Sequence, residues 1–261
     1  MQLWTDMHIK TLLPSILIMA VVALILGKCL AKRSERIRML PFQFFAIFLF
    51  VLEIFKQCIS FSRGYDLYHI PLHFCSLFVF MLPLMSFYHG KYKSGVRAIT
   101  VGLCAAVFFL MCVYPDLIYG ATDVHQYFQD FFSFHTVTFH NIIILEFFLI
   151  ISLRLFEPQG GKKDTKPLLL FMLCYCVIAS VTAQLLKTNF NNFYQCNIPP
   201  LESVRQAVAE VLGTTVAQVF YVLIVTSLDL LFVFGSYWLY RLLSRLSRPI
   251  FGCKSRTEQV I

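Results

Sequence analysis

Long blocks of apolar residues alternate with short polar stretches along the whole chain. Each block is roughly long enough to cross a hydrocarbon core of about 30 Å as a helix, at about 1.5 Å per residue. A backbone inside lipid must satisfy its own hydrogen bonds, so the blocks are predicted to be helices and not strands. They cover about residues 11–31, 41–62, 71–88, 97–114, 134–156, 168–186 and 217–240. The pattern predicts an all-α polytopic membrane protein, a seven-helix bundle that forms a single membrane domain over residues 1–261.

Basic residues are unevenly distributed between these blocks. If the N-terminus is outside and seven helices alternate, 17 of the 22 Lys and Arg residues fall in the inner loops and tail, at 28–38, 91–97, 154–166 and 241–256. Four others fall in the N-terminal segment and the outer loops. This is the positive-inside pattern, and it predicts an outer N-terminus, an inner C-terminus and a basic cytoplasmic tail over 241–261.

Composition agrees with a membrane protein. Apolar residues make up 58% of the chain and charged residues 14%, whereas a soluble domain carries about a quarter charged residues. The net charge of +8 is read as an orientation signal with some attraction to anionic lipid. Membrane lipids are therefore the expected partners and nucleic acid is not, while the sequence specifies neither the membrane nor the oligomeric state.

The second predicted helix carries a polar face. Glu53, Lys56, Gln57 and Ser60 follow one another at i, i+3, i+4 and i+7, which places them on one side of a helix. Glu53 and Lys56 can neutralise each other there. Intramembrane charges favour a functional site, so Glu53, Lys56 and Gln57 are candidate substrate-binding residues; the alternative is a polar seam that joins helices.

The third predicted helix opens with the stretch YHIPLHFCS, residues 68–76. Pro71 suits a first helical turn, and His73 and Cys75 follow near the positive end of the helix dipole. A cysteine there tends toward the nucleophilic thiolate. The two residues point to different sides of an ideal helix, unless the first turn is non-helical. The alternative is an interfacial histidine and a buried structural cysteine.

Two histidines lie in the fifth predicted helix, within FFSFHTVTFHN. His135 is near its outer boundary and is a candidate substrate-binding residue, and His140 lies more than a turn inside. A histidine within lipid needs a partner and can exchange protons near neutral pH, so His140 is the main candidate for a general base; a structural hydrogen bond is the alternative. Gln184 and Asn189, at the outer end of the sixth helix, are candidates for holding a substrate, although Asn189 also suits a helix cap.

No metal or cofactor site is predicted. The chain contains no HExxH, GxSxG or Walker motif, so families built on them find no support. Its nine cysteines show no metal-ligand spacing, and Cys174 and Cys176 point about 200° apart on a helix.

The stretch I-P-L-H-F-C resembles the L-P-L-H-x-C pattern of the YwaF family of multi-pass membrane proteins. The later F-H-x-x-T-F-H-N and the Asn-rich turn after the sixth helix occur at the corresponding places, so the resemblance spans roughly residues 40–240. YwaF proteins are similar to the transmembrane protein 164 family, whose animal members are acyltransferases acting on ether phospholipids. The resemblance implies that Cys75 carries an acyl group as a thioester, with His140 as the helper and His73 beside the cysteine.

Three functions are consistent with these residues. The first is a membrane acyltransferase or lipid-ester hydrolase that acts on phospholipid acyl chains through Cys75 and His140. The second is a proton-coupled transporter or small-ligand-binding protein that uses the same outer-leaflet polar cavity, with Glu53 and His140 as a proton relay. The third is a non-catalytic scaffold.

Overall fold

A computed structural model describes residues 4–117, 120, 124–158, 161–196 and 199–246. The regular structure of these residues is helical and contains no strand. The α-helices are α1 (Asp6–Leu30), α2 (Glu35–Arg38), α3 (Leu40–Ser62), α4 (Phe78–Phe87), α5 (Lys93–Val113), α6 (Phe131–Ser152), α7 (Lys162–Leu186), α8 (Pro199–Leu212) and α9 (Thr214–Leu246). Short 3₁₀ turns cover Leu67–His69, Cys75–Leu77, Pro115–Leu117 and Phe190–Asn192.

Six helices in the described residues are long and apolar enough to cross a membrane: α1, α3, α5, α6, α7 and α9. The protein is therefore an all-α, multi-pass membrane protein. In α6, 67% of the most apolar stretch is buried inside the protein, compared with 11% in α1. Helix α6 thus forms the centre of the bundle and α1 lies at its edge.

Close packing of α1 against α6 depends on a glycine. A Cβ added at Gly27 would lie 2.7 Å from the Cβ of Ser152, closer than two such atoms can approach. Small residues let helix backbones come together in membranes, where van der Waals packing replaces the hydrophobic effect between helices. Gly27 and Ser152 both lie near the C-terminal ends of their helices, so these two ends are close together.

The third predicted helix, 71–88, is helical only in its second part. A 3₁₀ turn begins at Cys75 and the α-helix at Phe78, so the apolar helix Cys75–Phe87 is 13 residues long and rises only about 20 Å. Polar contacts replace the missing helical turns. The His73 ring donates from Nε2 to the Tyr68 carbonyl at 2.9 Å, and the Tyr175 hydroxyl donates to the Leu72 carbonyl at 3.1 Å.

Residues 63–87 run from the end of α3 to the end of α4, and we name them the return segment. Two hydrogen bonds align the return segment with α3. Near the start of α3, Gln43 Nε2 donates to the Ser86 carbonyl at 3.2 Å. Near its end, Ser60 Oγ and His69 Nδ1 are 2.6 Å apart. Gln43 and Ser60 are 17 positions apart, a rise of about 25 Å along the helix, so the return segment runs from one end of the bundle to the other. We call these the Cys75 end and the Arg97 end.

The last helix exceeds its predicted span of 217–240 at both ends. Helix α9 begins at Thr214, directly after Gly213 with its φ of +86°, and continues to Leu246. Its last turns therefore include the start of the predicted basic tail. The rest of that tail lies outside the described residues.

Candidate functional site

A cavity of about 470 Å³ opens at the Cys75 end. Helix α3, the return segment, α6 and the chain that follows α5 form its walls. Its polar side chains are Lys56, Tyr68, His69, His73, Cys75, Ser76, Asp116, His135, Thr136 and His140. Five predicted site residues thus line one cavity: Cys75, His73, His140, Lys56 and His135.

Cys75 is the first residue of the 3₁₀ turn that leads into α4, so its thiol lies at the N-terminal end of a helix, as predicted. The thiol is free and half-buried. The helix dipole favours a thiolate at this position, whereas apolar surroundings oppose the charge. The sulfur therefore needs a base on the cavity wall to become a nucleophile.

His140 has the geometry of such a base. Its Nδ1 lies 2.7 Å from the Thr136 carbonyl oxygen, which can only accept, so Nδ1 carries the proton. In the neutral ring, Nε2 then holds a lone pair. That nitrogen is buried and has no hydrogen-bond partner within the described residues. The structure thus orients His140 through a backbone contact, and no group of the described residues is hydrogen-bonded to its basic atom.

His73 lines the same cavity because the backbone around it is not helical. The predicted separation of His73 and Cys75 on opposite sides of an ideal helix therefore does not apply. Since Nε2 of His73 donates to the Tyr68 carbonyl, its Nδ1 is the acceptor in the neutral ring. The ring also contacts Tyr68 at 4.2 Å and Phe190 at 5.5 Å between centroids.

Behind the cavity wall, Glu53 joins the polar face of α3 to α6. Its Oε1 accepts from Lys56 Nζ at 2.7 Å and from Gln57 Nε2 at 2.7 Å. Its Oε2 lies 3.0 Å from His135 Nε2, which donates to it. The predicted neutralisation of Glu53 by Lys56 is confirmed. The link to His135 was not predicted, since the two residues are 82 positions apart.

Gln57 has a structural contact in addition to Glu53. Its Nε2 also donates to the His69 carbonyl at 2.7 Å, and its Oε1 accepts from the Tyr65 hydroxyl at 2.7 Å. These bonds attach the start of the return segment to α3, and Gln57 is not part of the cavity lining.

His69 is a wall residue that the sequence analysis did not select. It precedes the predicted crossing 71–88, and its ring stacks on Phe132 at 4.4 Å between centroids. Ser60 is the last member of the polar face of α3, and it contacts His69. A polar partner for Ser60 in the following segment is therefore the feature of the sequence that could have identified His69.

Gln184 and Asn189 lie away from the cavity lining and build the loop that follows α7. Gln184 Nε2 donates to the Phe193 carbonyl at 2.9 Å. Asn189 Oδ1 accepts from the backbone N–H groups of Tyr194 and Gln195 at 3.2 and 3.0 Å. The loop in turn places Phe190 against His73, so any influence of Gln184 and Asn189 on the cavity is indirect.

A second, largely apolar cavity of about 660 Å³ lies between α5 and α9 on the other side of this loop. Its few polar groups include Asn191 and Asp229, which are joined by a 2.6 Å hydrogen bond from Asn191 Nδ2. Asn191 and Asn192 both have left-handed backbone conformations, with φ of 47° and 61°. The loop thus separates a polar cavity from an apolar one.

Among the described residues, no group of three or more His, Cys, Asp and Glu side chains is arranged to hold a metal ion. Comparison with curated proteins and with solved structures gave no match. The model of the TMEM164 family matches residues 3–240, which include every helix that lines the cavity. The chain therefore belongs to the TMEM164 family.

Proposed function

We propose that this membrane protein is an acyltransferase that acts on phospholipid acyl chains through a thioester on Cys75, with His140 as the general base. The observation that carries the proposal is that Cys75 and His140 line one cavity, and that Nε2 of His140 has no hydrogen-bond partner within the described residues. Membership of the TMEM164 family supports it. The closer resemblance to YwaF proteins remains a prediction from the sequence.

The reaction has two transfers. His140 Nε2 takes the thiol proton, and the Cys75 sulfur forms a bond to the ester carbonyl carbon of the donor lipid. The carbon–oxygen ester bond breaks, and the leaving alkoxide takes the proton from Nε2. In the second transfer an acceptor hydroxyl gives its proton to Nε2 and attacks the thioester; the carbon–sulfur bond breaks and the thiolate recovers the proton.

Lys56 is the proposed stabiliser of the oxyanion that forms in each transfer. Its ammonium group lies on the cavity wall and is fixed by Glu53 at 2.7 Å. A preorganised cation in a site with little water stabilises developing negative charge without reorganisation. His135 keeps Glu53 in place from the opposite side, so its proposed role is positioning.

The apolar cavity beside Asp229 is the proposed place for acyl chains. Its lining is almost entirely apolar, and its volume of about 660 Å³ is within the range of about 300–1,000 Å³ usual for ligand sites. The loop after α7 lines the apolar cavity through Asn191 and contacts His73, a wall residue of the polar cavity, through Phe190. Rearrangement of this loop would therefore join the chain-binding space to the Cys75 thiol.

We further propose that the return segment is a seventh membrane crossing, with the N-terminus outside and the C-terminus inside. Non-helical backbone is tolerated at membrane depth where protein buries it or where it lines a polar cavity, and residues 70–77 satisfy this condition. Single cysteines introduced by Asp66→Cys and Lys91→Cys, in a background without other reactive thiols, test the crossing with an impermeant maleimide. Labelling from opposite sides is expected; labelling from one side contradicts a seventh crossing.

Thioester formation is tested by incubating the purified protein with an alkynyl-acyl phospholipid and measuring label that hydroxylamine removes. Wild-type protein and Cys58→Ala, which removes a thiol exposed elsewhere on α3, should carry the label. Cys75→Ala should carry none. His140→Ala should label at least about 100-fold more slowly, the usual lower range for loss of a general base. Label that survives Cys75→Ala overturns the proposal.

The contact between Glu53 and His135 is the observation that favours the second candidate, proton-coupled transport. A carboxylate and a histidine 3.0 Å apart inside the bundle can exchange a proton. Proton-driven uptake into liposomes that is lost in Glu53→Gln, together with no acyl labelling of Cys75, would favour this function over acyl transfer.

A further inference from the structure

A second polar cavity of about 660 Å³ lies at the Arg97 end. It forms where α2, the start of α3, the end of α4 and the start of α5 meet. The Gln43–Ser86 hydrogen bond belongs to this cavity, whereas the Ser60–His69 contact belongs to the Cys75 end. The length of α3 between them, about 25 Å, separates this cavity from the proposed active site.

The cavity has an excess of positive charge. Arg36, Lys93 and Arg97 line it together with a single carboxylate, that of Glu35. Glu35 Oε1 accepts from both Lys93 Nζ and Arg97 Nη2, so one anion is shared by two cations. The structure records no hydrogen bond or ion pair of Arg36 with the described residues. Two positive charges therefore lack a counter-charge from the described part of the protein.

Two buried polar atoms of the lining also lack partners within the described residues. Ser86 is 2% exposed, and its Oγ has no hydrogen bond. Arg97 is half-buried, and its Nε is a buried atom that also has no hydrogen bond. The Arg97 guanidinium is held in place from the other side, because its Nη1 donates to the Leu155 carbonyl at 2.9 Å. Both unpartnered groups can donate a hydrogen bond, so an acceptor with several oxygens suits them.

Apolar side chains complete the cavity. Met39, Leu40 and Met85 lie beside the cations, and Leu40 is itself 54% exposed at the start of α3. A soluble anion does not use such a surface, whereas the glycerol backbone and upper chains of a lipid do. Basic pockets between transmembrane helices are places where anionic lipid headgroups bind.

We propose that the cavity at the Arg97 end binds the phosphate of an anionic phospholipid, with Arg36 as its free cation. Phosphate oxygens would accept from the donors of Arg36, Arg97 and Ser86, and the glycerol region would contact the two methionines. This bound lipid is distinct from the proposed substrate, and its binding does not depend on acyl transfer at Cys75.

The test compares bound lipid in wild-type protein and two matched variants. Arg36→Gln removes the unpaired cation, and Arg33→Gln removes another exposed cation three residues earlier that does not line the cavity. Each protein is titrated in neutral detergent with phosphatidylglycerol or phosphatidylcholine, and retained lipid is counted by native mass spectrometry. We expect phosphatidylglycerol to bind wild type and Arg33→Gln equally, and Arg36→Gln about fivefold more weakly, as for the loss of one cation near a lipid surface.

Three results would overturn the proposal. One is equal binding of phosphatidylglycerol to wild type and Arg36→Gln, and another is equal weakening by both substitutions, which indicates non-specific attraction. The third is that millimolar inorganic phosphate displaces the lipid and raises the melting temperature of the protein as much as the lipid does. The site would then hold a free anion. Equal melting temperatures of the lipid-free proteins establish that the variants are folded.

Discussion

Glu53 is the centre of a buried ionic cluster, and Glu53→Gln removes its charge with little change in shape. Its carboxylate receives hydrogen bonds from Lys56, Gln57 and His135. Lys56 is 9% exposed, and Glu53 is the partner that the structure records for it among the described residues. The substitution therefore leaves a buried ammonium group without a counter-charge, which costs about 3–5 kcal/mol when a buried pair is broken from one side.

The opposite substitution should cost less. Lys56→Met leaves the Glu53 carboxylate with two donors, Gln57 and His135, and the histidine can take up a proton and supply the missing positive charge. We expect a loss of about 1–3 kcal/mol, the range for one lost hydrogen bond to a buried charged group. The double variant contains no uncompensated charge, so its stability should lie within about 1 kcal/mol of Lys56→Met alone.

The assay is equilibrium unfolding of the purified protein in mixed detergent micelles, with the free energy of unfolding as the measured quantity. Glu35→Gln is the control, because Glu35 forms ion pairs at the Arg97 end with its side chain 45% exposed, and such a change should cost less than about 1 kcal/mol. Equal losses from Glu53→Gln and Lys56→Met that add in the double variant would show that the two groups are not coupled. That result would refute the reasoning.

Three further substitutions test the packing and the backbone. Gly27→Ala should lower the free energy of unfolding by about 1–3 kcal/mol because its methyl group meets Ser152, and Ser152→Gly in the same chain should recover part of this loss. Tyr175→Phe removes the hydrogen bond to the Leu72 carbonyl; it should cost about 1 kcal/mol and increase the rate at which iodoacetamide alkylates Cys75. Lys187→Gly should raise the melting temperature, because the exposed Lys187 has a φ of +52°, which costs a non-glycine residue about 1–2 kcal/mol. Lys187→Ala is the control and should not raise the melting temperature.

The sequence was sufficient to predict the long helices and insufficient for the return segment. Hydropathy is continuous through 71–88, so the pattern predicts a single helix there. The break at 70–77 depends on side chains from other parts of the chain: Gln57 and Tyr175 supply hydrogen bonds to the carbonyls of His69 and Leu72. A local pattern contains no information about such donors, because they come from α3 and α7.

The sequence was sufficient to select residues of the candidate site, but it predicted only in part which of them line the same cavity. Depth in the membrane placed Cys75 and His140 at the same end, and both line one cavity. The same reasoning also selected Gln184 and Asn189, which lie at that end and face the loop after α7 instead. Depth fixes one coordinate of a side chain, whereas the direction in which it points depends on helix rotation and loop shape.

Hydrogen bonding separates the polar side chains of the Cys75 end into two groups with different roles. Gln57, His73 and Tyr175 donate to backbone carbonyls of the broken return segment. They thus supply the partners that non-helical backbone needs at membrane depth. Cys75 and His140 Nε2 are not used in this way. The Cys75 thiol and the unpartnered His140 Nε2 belong to two residues that line one cavity. Neither atom stabilises the break, and a buried polar atom without a partner is costly. Their presence on one cavity-lining surface is the strongest structural reason to test the cavity for covalent chemistry.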